Sequence, residues 1–129
     1  DYAGLVLIGG MQWQSPEAER IFPIVQDAFE KGKVIGGICN AASFLCAHGF
    51  LNHVKHTGNT LAVLKQWGGE RYTNEDGYLE KQAVGDKNIV TANGTGYLEF
   101  TRELLLALKA DTQEKIEAFY DFSKNGLVR

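Results

Sequence analysis

The run Val34-Ile35-Gly36-Gly37-Ile38-Cys39-Asn40-Ala41-Ala42-Ser43-Phe44-Leu45 restricts the fold of this 129-residue chain more than any other stretch. A β-branched apolar segment stops at Cys39 and small residues follow at once, the pattern of a buried strand turning tightly into a helix. A side chain at such a turn projects beyond the sheet's carboxyl edge, where the helix's free N–H groups and positive dipole end favour a thiolate. Read from the residues alone, Cys39 is either a nucleophile or a small core hydrophobe, the commoner fate of a free cysteine.

The flanking segments alternate between strand and helix. Residues 3–8 read as a central parallel strand covered on both faces and ended by Gly9-Gly10. Ser15 is placed to cap a helix with Pro16 in its first position, Pro23 restarts that helix, and Gly32 ends it. After the Cys39 turn a helix is expected over 41–48, then a short strand over 53–57, with Asn59 as the cap of a helix over 61–67. Segments 78–84 and 88–91 read as paired strands joined through Gly85-Asp86-Lys87, glycine supplying the positive φ. Asn93-Gly94-Thr95-Gly96 is a second glycine-rich strand-to-helix turn, followed by Leu98, Thr101, Leu104, Leu105 and Leu108 at helical spacing. A last helix opens on Asp111 with Glu114 three residues on, and its stripe of Ile116, Phe119, Tyr120 and Ser123 suits core or subunit contact.

This alternation predicts one α/β domain, a three-layer αβα sandwich on a mainly parallel sheet. Ligands in that architecture bind beyond the carboxyl ends of the strands. Three loops converge there: Gly9-Gly10, Cys39-Asn40 and 93–96. If the first two strands are neighbours, the backbone N–H groups of Gly10 and Asn40 are placed to receive the oxyanion formed when a thiolate attacks a carbonyl. Gly94 borders the same pocket. Trp13, just after Gly10, either walls it or packs at a dimer seam. His56 is the histidine nearest the expected site; it either takes a proton from the thiol or is satisfied on the sheet by its neighbours. His48 suits a helix C-terminus. Glu99 falls within a helix, as a solvated or capping residue rather than a triad acid.

A formal net charge of −3 gives no reason to expect nucleic acid or an anionic membrane as partner, and the apolar runs are too short to cross a bilayer. Cys39 and Cys46 are seven apart, about 10 Å of rise on a continuous helix, too far for a disulfide. Both are therefore expected as thiols in a reducing, cytoplasmic compartment, Cys46 in the core. With no acidic or histidine cluster at ligand spacing, neither a metal nor another cofactor is expected.

Leu5-Val6-Leu7-Ile8-Gly9-Gly10, Gly37-Ile38-Cys39-Asn40-Ala41 and Asn88-Ile89-Val90-Thr91-Ala92-Asn93-Gly94 with Leu98-Glu99-Phe100 occur in order and at matching intervals. Together they resemble the PfpI-type intracellular protease/amidase family, within the class I glutamine amidotransferase-like superfamily that also holds the Parkinson's-linked deglycase and chaperone proteins. The resemblance implies a flavodoxin-like fold, Cys39 as reactive thiol, oxyanion donors near Gly10 and Asn40, a small-molecule substrate and a homodimer. Hydrolysis, amide transfer and hydration of a reactive aldehyde all suit such a site. A redox or stress sensor and a ligand-binding regulatory domain are the alternatives on the same fold. Two departures stand out. Family members begin with a further strand-helix-strand portion whose first loop supplies a glutamate to the cysteine, so this chain is expected to be the C-terminal part of such a domain. Members assigned as proteases or amidases often carry histidine after the cysteine, where this chain has Asn40, which cannot act as a general base.

Overall fold

The structure is a computed structural model, and it describes residues 1–127. Strands β1 (Gly4–Leu7), β2 (Val34–Ile38), β3 (Ala83–Asp86) and β4 (Ile89–Ala92) form one sheet in the order β1-β2-β4-β3. β1, β2 and β4 run parallel, with Leu5 opposite Ile35 and Ile35 opposite Ile89; β3 runs antiparallel to β4. Helices α1 (Phe22–Glu30), α2 (Asn40–Ala47) and α3 (Leu61–Gly68) belong to one face, α4 (Tyr97–Leu108) to the other, and α5 (Gln113–Asn125) packs on α4. This is the expected three-layer αβα sandwich, flavodoxin-like and mainly parallel.

Period-two alternation in β2 and β4 sorts the core between the layers. Ile35 and Ile89 join Val25, Ala41, Phe44, Leu45, Leu51 and Leu64 on the α1–α3 side. Ile38, Val90 and Ala92 join Phe100 and Leu104 on the α4 side. Gly36 and Gly37 occupy the middle of β2 because each helix layer comes down onto one of them. A Cβ on Gly36 would lie 2.7 Å from Leu104 Cδ2, and one on Gly37 2.7 Å from Leu45 Cδ1.

Several local expectations shift. β1 lies at the edge of the described sheet, with Val6 41% exposed, because α4 crosses β2, β3 and β4 and leaves Val6 uncovered. The strand expected over 53–57 is a loop holding a single bridge, His56 to Tyr78. In the β3–β4 hairpin the positive φ falls on Lys87 at 55°, while Gly85 stays in the strand. Ser15 makes no side-chain cap; its hydroxyl donates to Gln12 O, and Pro16 opens a 3₁₀ turn, Pro16–Ile21, before α1. Thr112, not Asp111, caps α5, its hydroxyl accepting from Lys115 N.

Glu99 is neither solvated nor a cap. It is 8% exposed on α4 and accepts from Tyr120 Oη and Lys124 Nζ of α5, each at 2.5 Å, while the Arg102 guanidinium stands 4.2 Å from the Tyr120 ring centre. These two donors hold the Glu99 carboxyl at about 2, below its ordinary 4.5. A depressed carboxylate stabilises the fold above pH 4.5 and loses that contribution as pH falls from 4.5 towards 2. Glu99→Gln is expected to weaken the α4–α5 contact by ~1–2 kcal/mol at neutral pH. Hydrogen exchange should show this as faster exchange confined to α5; unchanged α5 protection would rule the contact out.

Candidate active site at the Cys39 turn

Cys39 occupies the one-residue joint between β2 and α2, at φ 62°, ψ −130°. L-residues rarely adopt this conformation, and holding one there costs on the order of 1–3 kcal/mol. The surrounding contacts enforce it. Cys39 N–H donates to Ala92 O at the end of β4 (2.9 Å), and Cys39 O accepts from Ala42 N (3.0 Å). Gly9 brings the end of β1 against the turn, where an added Cβ would sit 2.7 Å from Cys39 Cβ. Asn40 N–H is the first of α2 and has no partner within the helix.

The sulfur lies within a chain of amides. Asn59 Nδ2 donates to Cys39 Sγ (3.3 Å) and towards Asn40 Oδ1 (3.5 Å), while Asn59 Oδ1 accepts from Gly94 N–H (2.9 Å). Asn40 Nδ2 in turn donates to Gly10 O (2.9 Å). Because Gly94 N–H claims the oxygen of Asn59, the amide is oriented with its NH₂ group towards the sulfur. One network thus fixes four loops around the thiol. Gly94 lies close to the thiol: a Cβ there would stand 3.2 Å from Sγ, tighter than an ordinary contact.

Asn59 was expected to cap α3. Thr60 does this instead, accepting from Val63 N (3.1 Å), which frees the neighbouring side chain for the thiol. The loop carrying Asn59 is anchored from below. Thr57 N donates to Thr91 Oγ1 of β4 (2.8 Å), His56 N donates to Gly77 O, and Leu79 N donates to His56 O. Two adjacent cap-type residues, Asn59 and Thr60, were the only sequence signal that one was surplus.

His56 is not brought to Cys39. It is fully buried, and both ring nitrogens are engaged elsewhere, Nδ1 with Val54 O (2.9 Å) and Nε2 with Tyr72 Oη (2.7 Å). A carbonyl can only accept, so Nδ1 carries the proton and Nε2 accepts the Tyr72 hydroxyl. The isolated bridge places the side chain on the interior side of its loop, which no spacing rule reveals. Burial lowers the imidazole pKa below 6.5. As pH falls through 6.5 the unfolded chain takes up a proton that the folded ring refuses, so stability is full above that value and declines below it. Thermal melts at descending pH should show this loss, and His56→Gln should flatten the profile; a variant profile parallel to the parent's would sink the assignment.

Trp13 Nε1–H donates to Ile8 O (2.8 Å) and its ring packs 4.9 Å from Phe44. Trp13 walls a depression of about 520 Å³ that starts at Gly9 and Gly10. A second depression, of about 790 Å³, opens beside Asn59 and Asn93, towards Tyr78 and Gln82. Cys46 is fully buried and donates to Leu64 O, and burial pushes its thiol up to about 12, which leaves it inert. His48 ends α2 and meets Glu19.

The sequence model of the DJ-1/PfpI family matches residues 1–107. The chain belongs to the DJ-1/PfpI family. Among its family relatives, a Bacillus subtilis protein named as the uncharacterized protease YdeA is 41% identical over 122 residues, covering 95% of this chain and 60% of that one. The uncharacterized protease YoaZ of the same organism is 34% identical over 120 residues, covering 93% and 57%. The chain thus spans about three fifths of the length of these relatives. A solved thiJ/pfpI family protein from Bacillus anthracis superposes with a TM-score of 0.89 at 31% identity, over 96% of this chain and 58% of that one. A DJ-1 superfamily protein from Agrobacterium tumefaciens gives 0.82 at 32% identity, over 97% and 66%. Helix α5 lies beyond the family match, held to α4 by the Glu99 contacts.

Proposed function

We propose that this DJ-1/PfpI chain carries a cysteine-dependent hydrolase or amidotransferase-like site that acts on a small amide or carbonyl compound through Cys39. The observation that carries the reading is the strained Cys39 turn with its sulfur under the Asn59 amide. The protease naming of YdeA and YoaZ agrees with it. The thiolate attacks the carbonyl carbon, an Sγ–C bond forms, and the carbonyl electron pair moves to oxygen, facing the N–H groups of Gly10 and Asn40. Collapse of this adduct expels the amine, which takes a proton from water, and a second water cleaves the thioester to free acid and thiol. With an aldehyde substrate the same attack stops at a hemithioacetal. Asn59 donates to the sulfur throughout but neither takes up nor releases a proton, so water serves as acid and base.

Among the described residues Asn59 is the one side chain bonded to the sulfur, and this favours a second reading, in which Cys39 is a reversibly oxidised sensor. Turnover of glutamine, small amides and methylglyoxal, with Cys39→Ala as control, separates the two. Turnover lost in the variant supports the enzyme; turnover that survives removes Cys39 as nucleophile. Reversible oxidation without turnover selects the sensor.

A further inference from the structure

On the far side of Trp13 from Gly10 lies a separate open cavity of about 510 Å³, bounded by the loop after β1, the end of α2 and the end of α3. Both tryptophans of the chain, Trp13 and Trp67, line it, together with Phe44. Trp13 has already committed its N–H to Ile8 O, so its ring contributes a π face rather than a donor. The polar side chains of the lining are those of Gln14, Glu19, His48, Glu70 and Arg71. His48 stacks between Phe22 and Phe44, at 4.7 and 4.6 Å, and its Nε2 holds Glu19 at 3.2 Å. Glu70 makes no ion pair among the described residues.

The geometry points to a binding site for a small methylated ammonium compound, seated against Trp13 and Trp67, with the buried Phe44 ring backing Trp13 and Glu70 as its counter-charge. Aromatic faces attract a cation through their quadrupole, and the attraction grows when the cation is weakly hydrated, as a methylated ammonium is. Two carboxylates against one guanidinium give the lining the complementary sign. An anion would meet a lining in which Glu19 and Glu70 outnumber Arg71. The site is independent of the thiol chemistry: Cys39 does not line it.

With both tryptophans of the chain at this cavity, intrinsic fluorescence reports on it through Trp67 and Trp13, and Trp13 also borders the depression at Gly9 and Gly10. Titration with choline chloride at constant ionic strength is expected to give a saturable change in emission, and its neutral isostere 3,3-dimethylbutanol a response weakened at least tenfold. Glu70→Gln should weaken choline binding by roughly threefold to tenfold, and Trp67→Leu by tenfold or more, followed there through Trp13. Circular dichroism checks that each variant keeps its fold, and isothermal titration repeats the measurement without fluorescence. Equal binding of choline and the isostere, choline binding unchanged in either variant, or no saturable signal from the parent protein would each overturn the assignment.

Discussion

Replacing Cys39 by glycine is expected to raise the melting temperature by about 3–6 °C while abolishing thiol reactivity at the site. The residue sits at φ 62°, ψ −130°, where a Cβ is unfavourable and glycine is at ease. Relief of the strain contributes about 1–3 kcal/mol; the extra freedom of glycine in the unfolded chain offsets about 0.5–1 kcal/mol of this. The half-buried sulfur forms one hydrogen bond, to Asn59, so its removal opens little space. Cys39→Ser keeps the Cβ and the strain, so it should lose the thiol chemistry with no gain in stability. Differential scanning calorimetry of the three proteins decides the matter. A glycine variant that melts at or below the parent would mean that the turn relaxes in solution, and that the strained geometry is not what presents the sulfur.

Asn59→Leu should slow alkylation of Cys39 and any turnover by on the order of 100-fold, with a stability cost below about 1 kcal/mol. The leucine is close in size but supplies no donor to Sγ and no acceptor to Gly94 N–H. Gly94 is exposed, so water can satisfy its N–H, and this keeps the folding cost small while the loops around the thiol lose their tie. Asn59→Asp tests the same contact by charge. One carboxylate oxygen still accepts from Gly94, and the other is turned to the sulfur, where it disfavours the thiolate. Iodoacetamide labelling of Asn59→Asp should therefore move to higher pH and be roughly tenfold slower at pH 7. A labelling profile identical to the parent's would show that Asn59 does not meet the sulfur in solution.

The two variants act on features that were unequally legible in the sequence. The Cys39 turn is local: an apolar β-branched run, a cysteine and a string of small residues specify strand, joint and helix within one stretch, whereas the close helix approach at Gly36 and Gly37 came only with the structure. Gly9, Gly10 and Gly94 were legible for the same reason, because each ends a strand and the parallel architecture gathers strand ends on one edge. Asn59 was not, since it lies 20 residues from Cys39 and its role depends on Thr60 taking the cap. Glu99 was misplaced by the sequence, and His56 was left open between base and satisfied core residue, for a related reason. Spacing states how often a side chain returns to a face, but whether that face meets solvent, Tyr72 or α5 depends on segments distant in the chain.

By itself, then, the sequence determined the alternation of strands and helices outside segment 53–57, the sandwich they build and the residue at the apex of its sharpest turn, because backbone preference and apolar periodicity act over a few neighbours. The tertiary structure alone decided what surrounds that apex. Hydrogen-bond partners are chosen by distance in space: Gly94 N–H orients the Asn59 amide towards Cys39 Sγ, and Asn40 ties the same network to Gly10. His56, the candidate base by its place in the chain, spends both nitrogens on Val54 and Tyr72 in the core.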